Sequence, residues 1–267
     1  MSAPSTLDGY SRFTFRREGR VLTVAFANGP LNAVDAAMHD ELARLFIDLQ
    51  HDEDSDLIVL TGEGRAFCAG GDFDWFDAQI ADPRLFRAIA SDAKRIVSTL
   101  LDLEKPIIAR LNGAAAGLGA TIALLCDVII ADETAKIGDP HVKVGLVAGD
   151  GGAVIWPQLI GFARAKELLM TGDLIPASEA VVMGLINHAV PADQLDAKVA
   201  EIAAKILGNP RWAVRWTKTV ANIALKQIAV SNSDAAVAYE ILSNMTADRK
   251  EAVAAFRERR KPNLTGD

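Results

Sequence analysis

The segment Arg65-Ala66-Phe67-Cys68-Ala69-Gly70-Gly71-Asp72 joins a short apolar, strand-like run to a helix-like stretch through consecutive small residues. Asn112-Gly113-Ala114-Ala115-Ala116-Gly117-Leu118-Gly119 does the same further along the chain. Glycine at such a junction tolerates unusual backbone angles and lets a ligand approach the main chain closely. Free N–H groups in the first turn of a helix add a favourable field for a negative oxygen. Two such turns can aim backbone N–H groups at one carbonyl oxygen, which implies an enzyme that stabilises an oxyanion. Either segment alone is equally an ordinary tight turn permitting close helix contacts.

Around these turns the pattern alternates between strand and helix. Residues 11–27 alternate polar and apolar types on either side of Gly19, which predicts a hairpin. Asp35 is placed to cap an amphipathic helix over about 36–51, with Leu42, Leu45, Phe46 and Leu49 at helical spacing. Strands are predicted at 57–61, 105–111, 128–131, 135–137 and 187–190, and helices at about 82–103 and 117–125. This alternation implies an α/β fold with a mostly parallel sheet and right-handed crossovers. Beyond Asn209-Pro210 only helices are expected, at about 211–228, 231–246 and 248–257. The division is thus a core over 1–205 and a helical region over 206–267.

The two glycine segments, with Gly29-Pro30-Leu31-Asn32-Ala33 and the junction running from Thr171-Gly172-Asp173 to Gly184-Leu185-Ile186-Asn187, resemble the enoyl-CoA hydratase/isomerase (crotonase) family over most of the chain. The resemblance implies a crotonase-like spiral of ββα units followed by a C-terminal helical region. It places the oxyanion donors at the N–H groups of Gly71 and, counting back from Cys126-Asp127, of Leu118. An acyl-coenzyme A substrate is implied, with coenzyme A arriving as part of the substrate, no separate cofactor and no metal. Ala69 and Gly71 match the coenzyme A contact at the first turn. Arg260 and Lys261, in the basic ending after Ala254, resemble a tail that approaches coenzyme A phosphates, sometimes across a subunit boundary. As a plain helix end, the same basic residues suit the helix dipole. Trimers or dimers of trimers are the family's usual assemblies.

The acid–base positions depart from the family pattern. The two glutamates of a standard hydratase fall at Thr121 and His141, so a paired-glutamate water addition does not carry over. His141 is the expected substitute, because histidine titrates near neutrality and can give or take a proton. Asp150 could hold its other ring nitrogen if the glycine-rich loop folds back, or could merely cap the next helix. Thr121 could place a water or bond its own helix carbonyl. The segment 138–152 also resembles the branch of the fold that hydrolyses cyclic β-diketones, where His39 and Glu240 match a histidine and a glutamate, while a further histidine falls at Gly119 and is missing. Read from its helix alone, His39 is a surface or subunit-contact residue, and Glu240 is unremarkable on an alanine-rich helix. Asp72 reads as a helix cap, and Phe73, Trp75 and Phe76 as a wall for an acyl group or as core.

Composition bounds the rest. A chain of 267 residues with half its residues hydrophobic can bury a substantial core. The formal charge of −7 argues against a nucleic-acid partner. Cys68 and Cys126 lack metal-ligand spacing and are expected to be reduced. With no basic, apolar leader at the start and no long uncharged apolar run, a cytoplasmic protein without a membrane span is expected.

Overall fold

The computed structural model describes residues 7–267, so most of the opening segment read as leaderless lies outside the described residues. The predicted hairpin is β1 (Phe13–Glu18) and β2 (Val21–Phe26), paired antiparallel around Gly19, whose φ is 55°. Then comes α1 (Ala36–His51), begun by Asp35, whose carboxylate accepts the Met38 N–H at 2.8 Å. Its Met38, Leu42, Leu45, Phe46 and Leu49 are buried, the face its apolar spacing predicted.

Three ββα units come next. The first is β3 (Leu57–Gly62), β4 (Ala66–Cys68) and α2 (Phe73–Ala81). After α3 (Pro83–Ala88) and α4 (Ala90–Asp102) comes the second: β5 (Ile107–Leu111), β6 (Ala114–Ala116) and α5 (Leu118–Leu124). The third is β7 (Val128–Asp132), β8 (Lys136–Gly138), a 3₁₀ turn over Pro140–Val144, and α6 (Gly152–Ile160). In every unit the first strand joins a six-stranded sheet of order β1-β2-β3-β5-β7-β10, closed by β10 (His188–Val190). The second strand joins a four-stranded sheet of order β4-β6-β8-β9, closed by β9 (Leu174–Pro176). Between these closing strands lie α7 (Phe162–Thr171) and α8 (Ala177–Met183). The main core fills the space between the sheets and the helices. A second apolar cluster beneath α9 (Leu195–Leu207) covers the outer face of the large sheet.

Two expectations are corrected. The helix expected over 82–103 is α3 and α4, broken at Ile89, whose N–H turns back to the Phe86 and Arg87 carbonyls. The break aims Phe86, Ile89 and Ala90 at a common cleft. The two helices expected at 211–228 and 231–246 are one, α10 (Arg211–Asn244). Val230, Ser231, Asn232 and Ser233 are weak helix formers. However, the Ser231 and Ser233 hydroxyls donate back to the Ile228 and Ala229 carbonyls instead of capping a new helix. Ion pairs to α4, Lys226–Asp102 and Lys94–Asp234, both 2.7 Å, flank that stretch. The last helix, α11 (Ala247–Glu258), packs on α2 and on the 3₁₀ turn.

Candidate active site

The small sheet assembles the site. β4 pairs with β6 and β6 with β8, all parallel, so the three chains leave the sheet side by side at their C-terminal ends. Neighbouring strands lie about 4.8 Å apart, so the segments leaving adjacent strands meet one another. Those segments are the turn to Gly71, the turn to Leu118 and the turn bearing His141. Gly70 has φ 91° and Gly117 φ 54°, both in the region that favours glycine. A β-carbon on Gly70 would lie 3.2 Å from the Ala116 carbonyl oxygen, and one on Gly117 3.3 Å from the His141 Cε1.

Val34 bridges to this edge through its N–H to the Gly70 carbonyl (2.8 Å) and its carbonyl to the Asp72 N–H (2.9 Å), leaving the Gly71 N–H outside the ladder. Leu118 is the first residue of α5, where an N–H has no partner within the helix. Gly71 and Leu118 both line one cleft. Asp72 caps α2, its carboxylate accepting the Asp74 and Trp75 N–H groups at 2.9 and 3.1 Å.

The first turn is braced by Asn32, fully buried at φ 51°. Its Nδ2 donates to the Glu63, Ala66 and Phe67 carbonyls at 2.8, 2.9 and 3.2 Å, and its Oδ1 accepts the Asn28 N–H at 3.0 Å. Asn32→Ala leaves those groups unsatisfied in a buried place and is expected to cost about 2–4 kcal/mol. Chemical denaturation measures the loss, and a loss below about 1 kcal/mol would contradict the bracing.

His39, His141, Asp150 and Glu240 face the same cleft as Gly71 and Leu118. Thr121 stands behind it, its hydroxyl 3.4 Å from Asp150 Oδ1. The long α10 carries Glu240 back over the core, and Gly149 makes room for it: a β-carbon there would lie 2.7 Å from Glu240 Oε2. Trp75 and Phe76 line the cleft, whereas Phe73 stacks on Phe256 of α11 at 4.6 Å and is no part of the wall. Ala69 lies off the cleft wall, with its N–H donated to the Leu31 carbonyl at 3.0 Å. Arg260 and Lys261 are exposed and off the wall as well. The Arg260 guanidinium is held within its own tail by Glu251 (Nη2–Oε2 2.9 Å) and Glu258.

Asp139, not singled out in the sequence, holds His141. It caps the 3₁₀ turn, and its Oδ1 takes both the His141 backbone N–H (3.3 Å) and the ring Nδ1–H. The other ring nitrogen, Nε2, faces Asp150 Oδ2 at 3.4 Å. Burial opposes charge on the imidazole, yet the two carboxylates outweigh it and raise its pKa well above the ordinary value. His141 is therefore an imidazolium with both nitrogens occupied, not a base with one nitrogen free. Burial likewise disfavours the Asp150 carboxylate, but His141 outweighs it and lowers the Asp150 pKa. Glu240 goes the other way: burial, reinforced by the Asp150 charge, pushes it up to about 8. Two carboxyl groups in one cleft are thus driven apart, one ionised and one protonated at neutrality. Burial lowers the His39 pKa, leaving that ring neutral.

Asp139, His141 and Asp150 offer three ligand atoms within 4.8 Å of one another. A cation there would have to displace the imidazolium proton from the ring nitrogen it bonded, and with it one of the two ion pairs to His141. His141→Ala is expected to destabilise the protein by about 3–5 kcal/mol, because it leaves two buried carboxylates without their cation. The difference from wild type is full below the ordinary histidine pKa and shrinks as pH rises through the raised folded value. Thermal unfolding as a function of pH checks this, and a pH-independent difference would contradict the ion triad.

A spiral of ββα units with a cleft at the C-terminal edge of its small sheet is the crotonase architecture. A sequence profile described as enoyl-CoA hydratase/isomerase matches residues 16–267, and the chain belongs to that family. It is 34% identical to the crotonyl-CoA hydratase of Syntrophomonas wolfei over 96% of this chain and 98% of that one. The crystal structure of an enoyl-CoA hydratase/isomerase from Mycobacterium paratuberculosis superimposes with TM-score 0.87 at 38% identity, covering 92% of this chain and 99% of that one. A β-diketone hydrolase from the cyanobacterium Anabaena, bound to (S)-3-oxocyclohexyl acetic acid, superimposes with TM-score 0.84 at 28% identity, covering 92% and 98%. The chain is a crotonase-family enzyme. Among the described residues, no helix is long and apolar enough to cross a membrane.

Proposed function

We propose that the enzyme transforms acyl-CoA thioesters through an enolate, as a hydratase or isomerase, with the Gly71 and Leu118 N–H groups holding the thioester oxygen. The observation that carries this is the convergence of those two turns with Asp150 and Glu240 on one cleft. In hydration, the Asp150 carboxylate accepts a proton from water as its oxygen adds to the β-carbon. Electron density moves onto the thioester oxygen, and protonated Glu240 then delivers a proton to the α-carbon. In isomerisation the same pair removes one proton and returns another. His141, fixed by Asp139, keeps Asp150 ionised, and Thr121 orients it. Proton transfer and oxyanion stabilisation need no separate cofactor and no metal, and coenzyme A serves as the substrate's handle. Gly71 and Ala69 would meet its nucleotide arm, with Lys261 on the exposed tail available to phosphates and Arg260 available once released from Glu251 and Glu258.

A second reading, carbon–carbon hydrolysis of a β-dicarbonyl compound, is favoured by one observation: His39, His141, Asp150 and Glu240 all face the cleft. Incubation with enoyl-, hydroxyacyl- and β-ketoacyl-CoA esters and with free cyclic β-diketones, followed by mass identification of products, separates the two. Turnover of thioesters alone supports the first, and cleavage independent of coenzyme A the second.

We also propose a homo-oligomer, a trimer or a dimer of trimers. Trp212, Trp216, Val220 and Ile223 recur along one side of α10 and are each more than half exposed. A cytoplasmic location suits the two buried cysteines, which form no disulfide.

A further inference from the structure

The cleft contains polar atoms that the proposed chemistry does not use. Gln79 is 1% exposed and lines the cleft, yet neither its Oε1 nor its Nε2 has a hydrogen-bond partner among the described residues. His39 is 4% exposed, lines the same cleft, and its Nδ1 is also without a partner. The two are joined by Trp75: the His39 and Trp75 rings lie 5.5 Å apart, and Gln79 is one helical turn beyond Trp75 on α2. The two polar groups thus flank Trp75 on one side of the cleft. Gln79 also lies near the far end of α2, roughly 9 Å along the axis from the turn at Gly71. An oxygen lodged there belongs to the remote part of a substrate whose carbonyl sits at Gly71.

Buried amides and imidazoles are ordinarily satisfied, and a site built from them penalises a ligand that leaves them unmade. Gln79 can donate and accept, and neutral His39 can do one or the other at Nδ1. Neither offers a cation, and the cation that lines the cleft, His141, is already paired with Asp139 and Asp150, which leaves no free partner there for a second anion.

We propose that Gln79 and His39 form a specificity subsite for an uncharged oxygen, keto or hydroxyl, on the acyl group remote from the thioester. The substrate class is thus an oxygenated acyl thioester and not a plain alkyl one; this rests on the acyl-CoA function proposed above.

The test compares wild type and Gln79→Leu on an octenoyl-CoA ester and its remote keto and hydroxy derivatives. The same pair of proteins is titrated calorimetrically with free cyclic β-diketones that carry or lack an additional ring ketone. Wild type is expected to favour the oxygenated member by about 10- to 100-fold in kcat/KM or affinity, and Gln79→Leu to lose that preference while keeping its rate on the plain ester. Preference confined to the free diketones would keep the subsite and overturn the acyl-CoA reading. Equal use of plain and oxygenated compounds in both series, or no binding in either, would overturn the subsite. So would a preference that survives in Gln79→Leu. Should Gln79→Leu fail to fold, the wild-type ratio and Gln79→Met, which keeps the unbranched side chain without its amide, still decide the matter. Loss of preference in the folded Met variant supports the subsite, and its retention overturns it.

Discussion

Glu240→Gln is expected to lower kcat by about 10²- to 10⁴-fold, the usual contribution of a positioned general acid. The glutamine keeps the shape of the side chain and has no proton to deliver to the enolate. Because burial and the Asp150 charge hold the Glu240 pKa up at about 8, the group is protonated at neutrality. Wild-type kcat should therefore fall as pH rises past about 8, and the variant should lack that alkaline limb. Wild-type stability should fall with rising pH as well. A carboxyl whose pKa rises from 4.5 unfolded to about 8 folded binds more protons in the native state, so its contribution is complete below 4.5 and is lost progressively as pH climbs through 8. Glu240→Gln removes that loss, and the variant should gain on wild type in thermal stability between those values. A kcat within threefold of wild type, or a stability difference that does not grow with pH, would contradict the assignment.

The second large effect concerns the main-chain donors. Leu118 is the first residue of α5, a position where proline is tolerated because the N–H it lacks has no partner in the helix. Leu118→Pro thus deletes one donor while sparing the helix. Loss of one such donor costs about 3–4 kcal/mol of barrier, or about 10²- to 10³-fold in kcat. KM should change much less, since the oxygen carries its full charge only in the enolate. A matching Gly71 variant is less clean, because a β-carbon there would run into the Phe76 ring.

Much of this was legible from residues and spacing. The glycine turns stood out because runs of small residues at a strand-to-helix junction serve few purposes besides close approach to the backbone. Asp35 and Asp72 announced their helices as caps. β4, β6 and β9 are only three residues each, too short to show alternation, so the sheet that aligns the turns was hidden. The continuity of α10 was hidden too, since its serines look like a boundary until their hydroxyls are seen on carbonyls one turn back. Asp139 carried a usable signal, an aspartate immediately before Pro140 and two residues before His141, which is how a capped turn begins. Without Asp139, His141 reads as a titrating base; with both nitrogens filled it reads as a fixed cation, and the proposed proton transfer falls to the carboxyls. Gln79 had no signal at all. One glutamine near the end of an aromatic helix looks solvated, and only the packing of α2 against the core shows that its amide is shut in.

Stopped-flow turnover of an enoyl-CoA ester by Leu118→Pro, against wild type at matched thermal stability, tests the shared oxyanion site most directly. A fall in kcat of at least about a hundredfold with little change in KM is predicted. Wild-type kcat in a folded Leu118→Pro protein would mean that the amides of residues 71 and 118 do not hold the same oxygen.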